Sequence, residues 1–347
     1  MARRATVDDL LPSVSVTPGG GNYRAGCTSA LRPGVASGLQ RTSLITLDPA
    51  KDRPTQHVTV VGSSSTLYAS GSALYLATQP WYGPAAGRGG LVQVPGTTDL
   101  HGFDVTHPDH LAYLGTGTVP GDLPDQYAMS EQNGYLRVAT SSGGDNRITV
   151  LKPTGGVLKE VAHVGGLGVD QQLYGVRFLG DLAYVVTFRR LDPLHVVDLS
   201  DPTRPVARGE LTVPGYSSAL YDLGNHLLLG LGQDLGSAAS VFDTRDSLHP
   251  TLVSKLVLPG YSAAETSHHA LLWWPATRTL ALPLGRDTAV LKVSSQGALS
   301  RQGLVRAQGG QVLRTVVAGD LLYSVSERGV TTAPLERLDE TTWLPFP

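Results

Sequence analysis

"LHVVDLSDPTRPVARGELTVPG", residues 194–215, consists of two runs of alternating apolar and polar residues with a proline-containing break between them. In the first run His195 and Val197 fall on one side of an extended chain, and Val196 falls on the other. Proline cannot donate a ladder hydrogen bond, and Asp and Ser side chains bond to nearby backbone, so "DLSDPTRP" ends the strand in a turn. The stretch is therefore predicted to be a β-hairpin.

This hairpin recurs along the chain, and a second kind of hairpin alternates with it. Most hairpins of the second kind turn on a pair of residues that tolerates positive φ, as tight β-hairpins require. Hairpins of the first kind begin at Ser43, Leu100, Ile148, Leu194, Ala239 and Ala289. Those of the second kind turn at Gly71-Ser72, Asn133-Gly134, Gly180-Asp181, Gly224-Asn225 and Gly319-Asp320, with a further one, starting at His268, before the last.

The spacing of these turns predicts an all-β propeller of four-stranded antiparallel blades. Successive second-kind turns are 62, 47, 44 and, across the hairpin at His268, 95 residues apart. Repeats of about 40–50 residues with four strands are typical of propeller blades. A β-sandwich, the competing all-β fold, has no reason to repeat one order of turns six times.

The number of blades depends on how the N-terminal strands are used. If they complete the last blade, the ring has six blades, which is the arrangement that we favour because an open ring would expose strand edges. If the beginning of the chain is lacking, a seventh blade is partly formed. We expect an extended N-terminal segment over residues 1–40 and the propeller over residues 41–347.

Composition narrows the classes of function. The chain of 347 residues has 41% hydrophobic and 16% charged residues, enough to bury a core. A net charge of −2 gives no basis for binding nucleic acid, which needs clustered Lys and Arg. No apolar run reaches the roughly 20 residues of a membrane span, and no signal peptide is visible. Cys27 is the only cysteine, so no internal disulfide can form.

Four stretches of the chain resemble the bacterial and archaeal secreted β-propeller domain family, which is distantly related to WD-type propellers. The resemblance runs from about Cys27 to Phe346, and the "VVDLSDPTRP" unit is also similar to the LVIVD-type repeat of bacterial surface proteins. It implies export or attachment to the cell surface and no particular activity. The resembling stretches are "VPGDLPDQYAMSEQNGYLRVAT" (119–140), "LYGVRFLGDLAYVVTFRRLDPLHVVDLSDP" (173–202), "VPGYSSALYDLGNHLLLGLGQD" (213–234) and "ETSHHALLWWP" (265–275).

This chain departs from that family at two places. Relatives usually carry a signal or lipoprotein segment and further propeller sequence before the matching region, whereas this sequence starts directly there; the resemblance therefore leads us to expect a fragment or a shortened homologue. Relatives also often have an acid just before the histidine pair, where this chain has Ser267. Any role of that acid in the family is therefore not expected here.

Binding residues are expected on one face of the propeller. Loops between second and third strands, and connections from one blade to the next, emerge on the same face. Aromatic side chains in such loops supply binding energy, and arginine grips anions. Charged residues on inner strands could hold a polar ligand, or form an ion pair that satisfies buried charge. The candidates are Trp81, Tyr82, Arg189 and Tyr216 in loops, and Glu131 and Arg177 on inner strands.

The segment "ETSHHA" contains the candidate catalytic residues Glu265, His268 and His269. A glutamate and a histidine can perform acid–base chemistry, although histidines packed between blades are often structural. If the segment is a regular strand, Glu265 and His269 share one side and His268 points to the other, so that both histidines cannot bind one ion.

No cofactor and no metal site is predicted. "GGLG" at residues 165–168 is not followed by a helix, which a phosphate loop needs. The acids of "DLSDP" lack the regular spacing and final Glu of a calcium loop, and a turn-forming role accounts for them better. No nucleophile elbow is present.

Three functions remain open. The first is an exported, non-enzymatic propeller that presents its loop face to a protein, a glycan or a small ligand. The second is a hydrolase or lyase that uses Glu265 with His268 or His269 at the mouth of the channel. The third is a structural spacer within a larger surface protein.

Overall fold

The computed structural model describes residues 12–16, 20–24, 26–32, 40–48, 50, 54–62, 64–79, 83–84, 91–92, 96–107, 109–188, 192–213 and 215–347. The chain divides into two compact units. The N-terminal unit comprises residues 1–170 with 200–205, and the C-terminal unit comprises residues 171–199 with 206–347.

A four-stranded antiparallel module, with its strands paired in sequence order, is the repeating element of the fold. Two modules lie in the N-terminal unit and four in the C-terminal unit, counted over the described residues. Second-kind hairpins form the first two strands of each module, and five of the six first-kind hairpins form the third and fourth strands of the first five modules. The predicted all-β propeller of four-stranded blades is thus confirmed.

The N-terminal unit contains fifteen of the described strands. β1 pairs with β2, β8 pairs with β9, and β3, β5 and β4 form a three-stranded sheet; the modules are β6-β7-β10-β11 and β12-β13-β14-β15. Short 3₁₀ helices lie at Cys27–Ser29 and Gln126–Ala128. The strands are β1 (Ser13–Val16), β2 (Gly20–Arg24), β3 (Ala30–Leu31), β4 (Arg41–Leu47), β5 (Pro54–Val61), β6 (Ser64–Ala69), β7 (Ala73–Thr78), β8 (Gly83–Pro84), β9 (Leu91–Val92), β10 (Thr97–His107), β11 (His110–Pro120), β12 (Met129–Gln132), β13 (Tyr135–Ser142), β14 (Asp145–Thr154) and β15 (Gly156–Val164).

The two modules of this unit join at their outer edges. β11 and β15 pair in parallel at Gly115 and Gly156, so that the modules form one eight-stranded sheet. Gly115 has φ +139°, and a Cβ there would collide with the backbone of Gly156. Glycine permits this approach because it has no side chain.

The C-terminal unit consists of four modules, in chain order. Short 3₁₀ helices at Ala263–Glu265, His268–Ala270 and Pro275–Thr277 surround the first strand of the third module. The strands are β16 (Gln172–Leu179), β17 (Leu182–Phe188), β18 (Asp192–Asp198), β19 (Val206–Val213), β20 (Tyr216–Gly224), β21 (Leu227–Gln233), β22 (Ser237–Asp243), β23 (Thr251–Leu258), β24 (Leu272–Trp274), β25 (Thr279–Leu284), β26 (Asp287–Val293), β27 (Leu299–Arg306), β28 (Val312–Ala318), β29 (Leu321–Ser326), β30 (Gly329–Pro334) and β31 (Thr342–Pro345).

The expectation that N-terminal strands complete the last blade is wrong. β31, from the C-terminal end of the described chain, is the fourth strand of the last module. The outer pair β4–β5 instead forms its own sheet with β3. The blade number stays a prediction, as does the boundary at residues 40 and 41.

The apolar core of the C-terminal unit lies between neighbouring modules. Strands β21 and β22 are buried along almost their whole length on both faces. Leu229 and Val241 pack with Leu280 and Leu291 of the next module. The first strand of that next module, β24, is only half-buried. Middle strands are therefore apolar on both faces because modules cover them from two sides.

The outer hairpin turns share one hydrogen-bond pattern, in which a side-chain oxygen accepts from the backbone amide two residues later. In the opening stretch the Thr203 amide donates to Oδ1 of Asp201 over 2.9 Å, and the Thr203 hydroxyl donates to the same atom over 2.6 Å. These hydrogen bonds hold the pKa of the exposed Asp201 carboxyl below its usual value. The turn-forming role of the "SDP" acid is thus confirmed. Asp48, Asp104, Asp246 and Ser294 accept from the backbone amide two residues later in corresponding turns.

Candidate functional site

A cavity of about 520 Å³ opens at the loop-bearing end of the C-terminal unit. Four segments form its walls. Two are the turns between β21 and β22 and between β25 and β26, and two are the connections that lead into β24 and into β28. These are the loop types that we expected on one functional face. Its volume falls within the roughly 300–1,000 Å³ of ligand pockets. The lining residues are Gln233, Gly260, Tyr261, Ser262, Ala263, Glu265, Thr266, Leu284, Gly285, Gln311 and Val312.

Backbone hydrogen bonds hold these loops together. The Ser237 amide donates to the Gly260 carbonyl over 2.8 Å, which ties the β21–β22 turn to the following connection. The Val312 amide donates to the Gly285 carbonyl over 2.8 Å, which ties the next two segments. The cavity therefore has walls of fixed backbone, as a preformed binding site requires.

Glu265 is the charged residue among the eleven that line the cavity, and its side chain is buried. The Gln233 side-chain amide donates to Oε2 over 2.9 Å. The Ser262 backbone amide donates to Oε1 over 3.1 Å, and the Ser237 hydroxyl donates to the same oxygen. Each of these donors is neutral.

The local sequence explains why Glu265 turns inward. Ser262 is the N-cap of the 3₁₀ helix Ala263–Glu265, and its side chain and that of Glu265 form a capping box. In a capping box the N-cap and third residues satisfy each other's backbone amides. The pattern Ser262-Ala-Ala-Glu265 is the sequence signature of a capping box, and it is not among the motifs considered above. The structural role of Glu265 is therefore to hold one wall of the cavity.

The segment from Glu265 to Ala270 is not a regular strand. It contains the 3₁₀ helices Ala263–Glu265 and His268–Ala270, so the alternating arrangement considered for Glu265, His268 and His269 does not apply. His269 is exposed, whereas His268 is half-buried. The first of these helices has Ser262 as its N-cap, in a capping box with Glu265.

His268 contacts inner strands of the C-terminal unit. Its ring lies 5.3 Å from the ring of Tyr221, measured between centroids. Burial, which is the largest cause, and the charges of Arg177 and His269 together lower the pKa of His268 to about 4. At neutral pH the imidazole is therefore uncharged. Arg177, on the first strand of its module as expected, is half-buried.

Glu131 lies on β12 in the N-terminal unit, on the first strand of its module as expected. Its Oε2 accepts the hydroxyls of Ser70 over 2.9 Å and Ser72 over 2.7 Å, and its Oε1 accepts the Gly134 amide over 2.9 Å. Burial alone would raise the pKa of Glu131, but these hydrogen bonds outweigh it and hold the pKa below its ordinary value. The carboxylate thus joins the β6–β7 turn to the neighbouring module.

The other candidate residues are not placed in a site. Trp81, Tyr82 and Arg189 lie outside the described residues, and Tyr216 begins β20 without a described side chain. They stay predictions. The structure adds residues that sequence reasoning missed, since no local motif marks Gln311 or Leu235.

Two exposed apolar side chains belong to segments that build the cavity wall. Tyr261 is 70% exposed and lines it, and Leu235, at the tip of the β21–β22 turn, is 103% exposed. Leu235 also has φ +59°, a left-handed conformation that an ordinary side chain rarely adopts. Tyrosine is enriched at binding interfaces because its ring is apolar while its hydroxyl is polar.

Over the described part of the chain, no three His, Cys, Asp or Glu side chains cluster closely enough to hold a metal ion. Within the same residues, no helix has the length and apolar character needed to cross a bilayer.

A family model described as the beta propeller domain matches residues 1–338. The chain belongs to the beta propeller domain family. This beta propeller is 34% identical, over 66% of its length, to an uncharacterized protein of Archaeoglobus fulgidus. It is 35% identical, again over 66% of its length, to an uncharacterized protein of Methanocaldococcus jannaschii. The matches cover 35% and 37% of those two proteins, so this chain aligns with only about a third of their length.

Solved structures share the fold of this beta propeller at low sequence identity. A candidate 6-phosphogluconolactonase from Bacteroides uniformis has a TM-score of 0.53 and 13% identity, with 97% of this chain and 96% of that chain covered. Sqt1 from Chaetomium thermophilum, solved bound to the N-terminus of the ribosomal protein L10, has a TM-score of 0.50 and 10% identity, with coverages of 81% and 74%. Likeness at this identity shows the fold alone.

Proposed function

We propose that this beta propeller is a binding module that holds a segment of another polypeptide in the cavity of its C-terminal unit. The observation that carries the proposal is the cavity itself, which four chain segments build; exposed Tyr261 lines it, and exposed Leu235 lies in one of those segments. Backbone donors and acceptors together with an aromatic anchor are suited to an extended peptide.

Two further points support a polypeptide over other ligands. Tyr261 and Leu235 extend the contact surface beyond the cavity, which a small ligand would not need. Sqt1, which shares the fold, was solved with the N-terminus of another protein bound to it. Export to the cell surface, implied by the family resemblance, is part of this proposal, and the same face would then meet extracellular proteins. A glycan or a small ligand is the alternative outcome.

A library of random dodecapeptides displayed on phage and selected on the folded chain tests the proposal. Enriched peptides should bind the wild type, and their affinity should fall at least about tenfold in the double variant Leu235→Ala, Tyr261→Ala, because such anchors contribute about 1–2 kcal/mol each. The matched control is Leu248→Ala, which removes a 49% exposed leucine from the β22–β23 turn at the opposite end of the same module. Peptides that bind the double variant as well as the wild type would contradict the proposal.

The hydrolase or lyase alternative stays a prediction, and so does the spacer. For catalysis, Glu265 would have to exchange protons with a substrate while it accepts hydrogen bonds from Gln233, Ser237 and Ser262. A panel of ester, lactone and glycoside substrates tests it. An activity that is abolished by Glu265→Ala with His269→Ala would establish this alternative.

A further inference from the structure

The carboxylate of Glu265 has acceptor capacity that the protein leaves unused. A carboxylate offers about four acceptor positions, two on each oxygen. Oε1 accepts two hydrogen bonds, from Ser237 and Ser262, and Oε2 accepts one, from Gln233. Within the described residues one position on Oε2 therefore remains, and Glu265 and its partner Gln233 both line the cavity.

The negative charge of Glu265 also has no cationic partner in the described part of the chain. Its three donors are neutral, and the eleven lining residues include neither Lys nor Arg. Two cations of neighbouring segments form ion pairs with other acids: Lys255 with Asp234 over 2.5 Å, and Arg306 with Asp287 over 3.2 Å. A buried carboxylate held by neutral donors alone gains when a cation that can also donate a hydrogen bond approaches it.

The surroundings suit the rest of a basic side chain. Glu327, at the far rim, accepts the Gln311 amide over 3.4 Å and adds a second negative charge. Arg286, next to the lining residue Gly285, is exposed to solvent and is not among the lining residues. The alkyl stem of a lysine or arginine would lie along Leu284 and Val312, since such stems pack on apolar surface while the charged end reaches a polar partner.

We propose that the cavity recognises a lysine or arginine side chain of the bound polypeptide, with Oε2 of Glu265 accepting a hydrogen bond from its ammonium or guanidinium group. This inference rests on the proposed function and specifies which kind of side chain the cavity recognises. Tyr261 and Leu235 contact the polypeptide around that side chain, and Glu265 selects its charge.

The test compares selections on the wild type and on Glu265→Gln. Glutamine at this position keeps the capping box, because glutamine serves there as well as glutamate, and a thermal melt followed by circular dichroism verifies that the variant is folded. Glu336→Gln is the matched control, since Glu336 is exposed in the β30–β31 turn at the opposite end of its module. Peptides from the wild-type selection are then synthesised with arginine replaced by citrulline, or lysine by acetyl-lysine.

The expected result is that wild-type selections enrich an arginine or lysine, and that the neutral replacement lowers affinity about tenfold in the wild type and in Glu336→Gln but not in Glu265→Gln. Suppose that peptides depend on Tyr261 and Leu235, but that their neutral forms bind the wild type equally well or the original peptides bind Glu265→Gln equally well. That result would overturn this inference and leave the proposed function standing. A selection in which no peptide is enriched, or in which enriched peptides ignore Tyr261 and Leu235, would overturn both.

Discussion

The side-chain amide of Gln233 donates to Oε2 of Glu265 over 2.9 Å, although 32 residues separate them in the chain. Gln233 ends the second strand of one module, and Glu265 lies in the connection to the next. The hydrogen bond therefore joins successive repeats at the point where the cavity forms.

Removal of the Glu265 carboxylate should destabilise the C-terminal unit. Glu265→Ala removes the acceptor of the Gln233 side-chain amide and of the Ser237 hydroxyl, whereas the Ser262 amide keeps Oγ of Ser237, and we expect a loss of about 2–3 kcal/mol in the free energy of unfolding. Glu265→Gln should lose less than half as much, because the capping box is retained. Urea unfolding curves measure both variants. Equal losses would contradict the capping role of the residue.

Acid should destabilise the protein through His268. Its pKa in the folded state is about 4, below the ordinary value near 6.5, so the unfolded chain binds a proton at pH values where the native state does not. The stability that the neutral ring contributes is complete above pH about 6.5 and is lost as the pH falls towards 4. We expect a loss on the order of 2 kcal/mol over that interval.

Thermal midpoints measured from pH 7 to pH 4 test this dependence. His268→Asn should flatten the slope, although buried His101 and His195, whose pKa values burial also lowers, leave part of it in place. His226→Asn is the control, because His226 is exposed at φ +61°, a conformation that asparagine tolerates. A slope that is equal in His268→Asn and the wild type would refute the assignment.

Glu131 should couple two modules of the N-terminal unit. Glu131→Ala and Ser72→Ala each remove the 2.7 Å hydrogen bond between them, and each should cost about 1–2 kcal/mol. In the double variant the losses should fall short of the sum, because the shared bond is lost only once. Denaturant unfolding of the four proteins in the cycle measures the coupling. Strict additivity would show that the bond contributes nothing.

Packing within the second module of the C-terminal unit should not tolerate a methyl group at Gly230. A Cβ there would lie 2.5 Å from Oγ of Ser217 and 2.9 Å from a ring carbon of Phe242. Gly230→Ala should therefore lower the free energy of unfolding by about 1–3 kcal/mol. Gly71→Ala, at a position with open space around it, serves as the control and should change stability little. Similar stabilities of the two variants would contradict this packing.

Several features of the fold could be predicted from short segments. Asp201 and Thr203 form their turn with bonds that span two residues, and Asn133 and Gly134 adopt positive φ in theirs. Such interactions are local, so residue identities and spacing suffice to recognise them. The use of the N-terminal strands could not be recognised in this way, because pairing between distant strands depends on which edges are available.

The candidate site shows the same division. The sequence pointed to Glu265 and to loops of the right kind, but it suggested a strand where capping by Ser262 produces 3₁₀ turns. It did not indicate Gln311 or Leu235, since their importance comes from neighbours in other segments.

By itself, the sequence determined the strands, the turns and their repetition, because each depends on hydrogen bonds and side-chain alternation within a few residues. Only the tertiary structure decided which turns meet around the cavity, which donors surround Glu265 and which acceptor position they leave. Those depend on contacts between modules, which bring together residues that lie far apart in the chain.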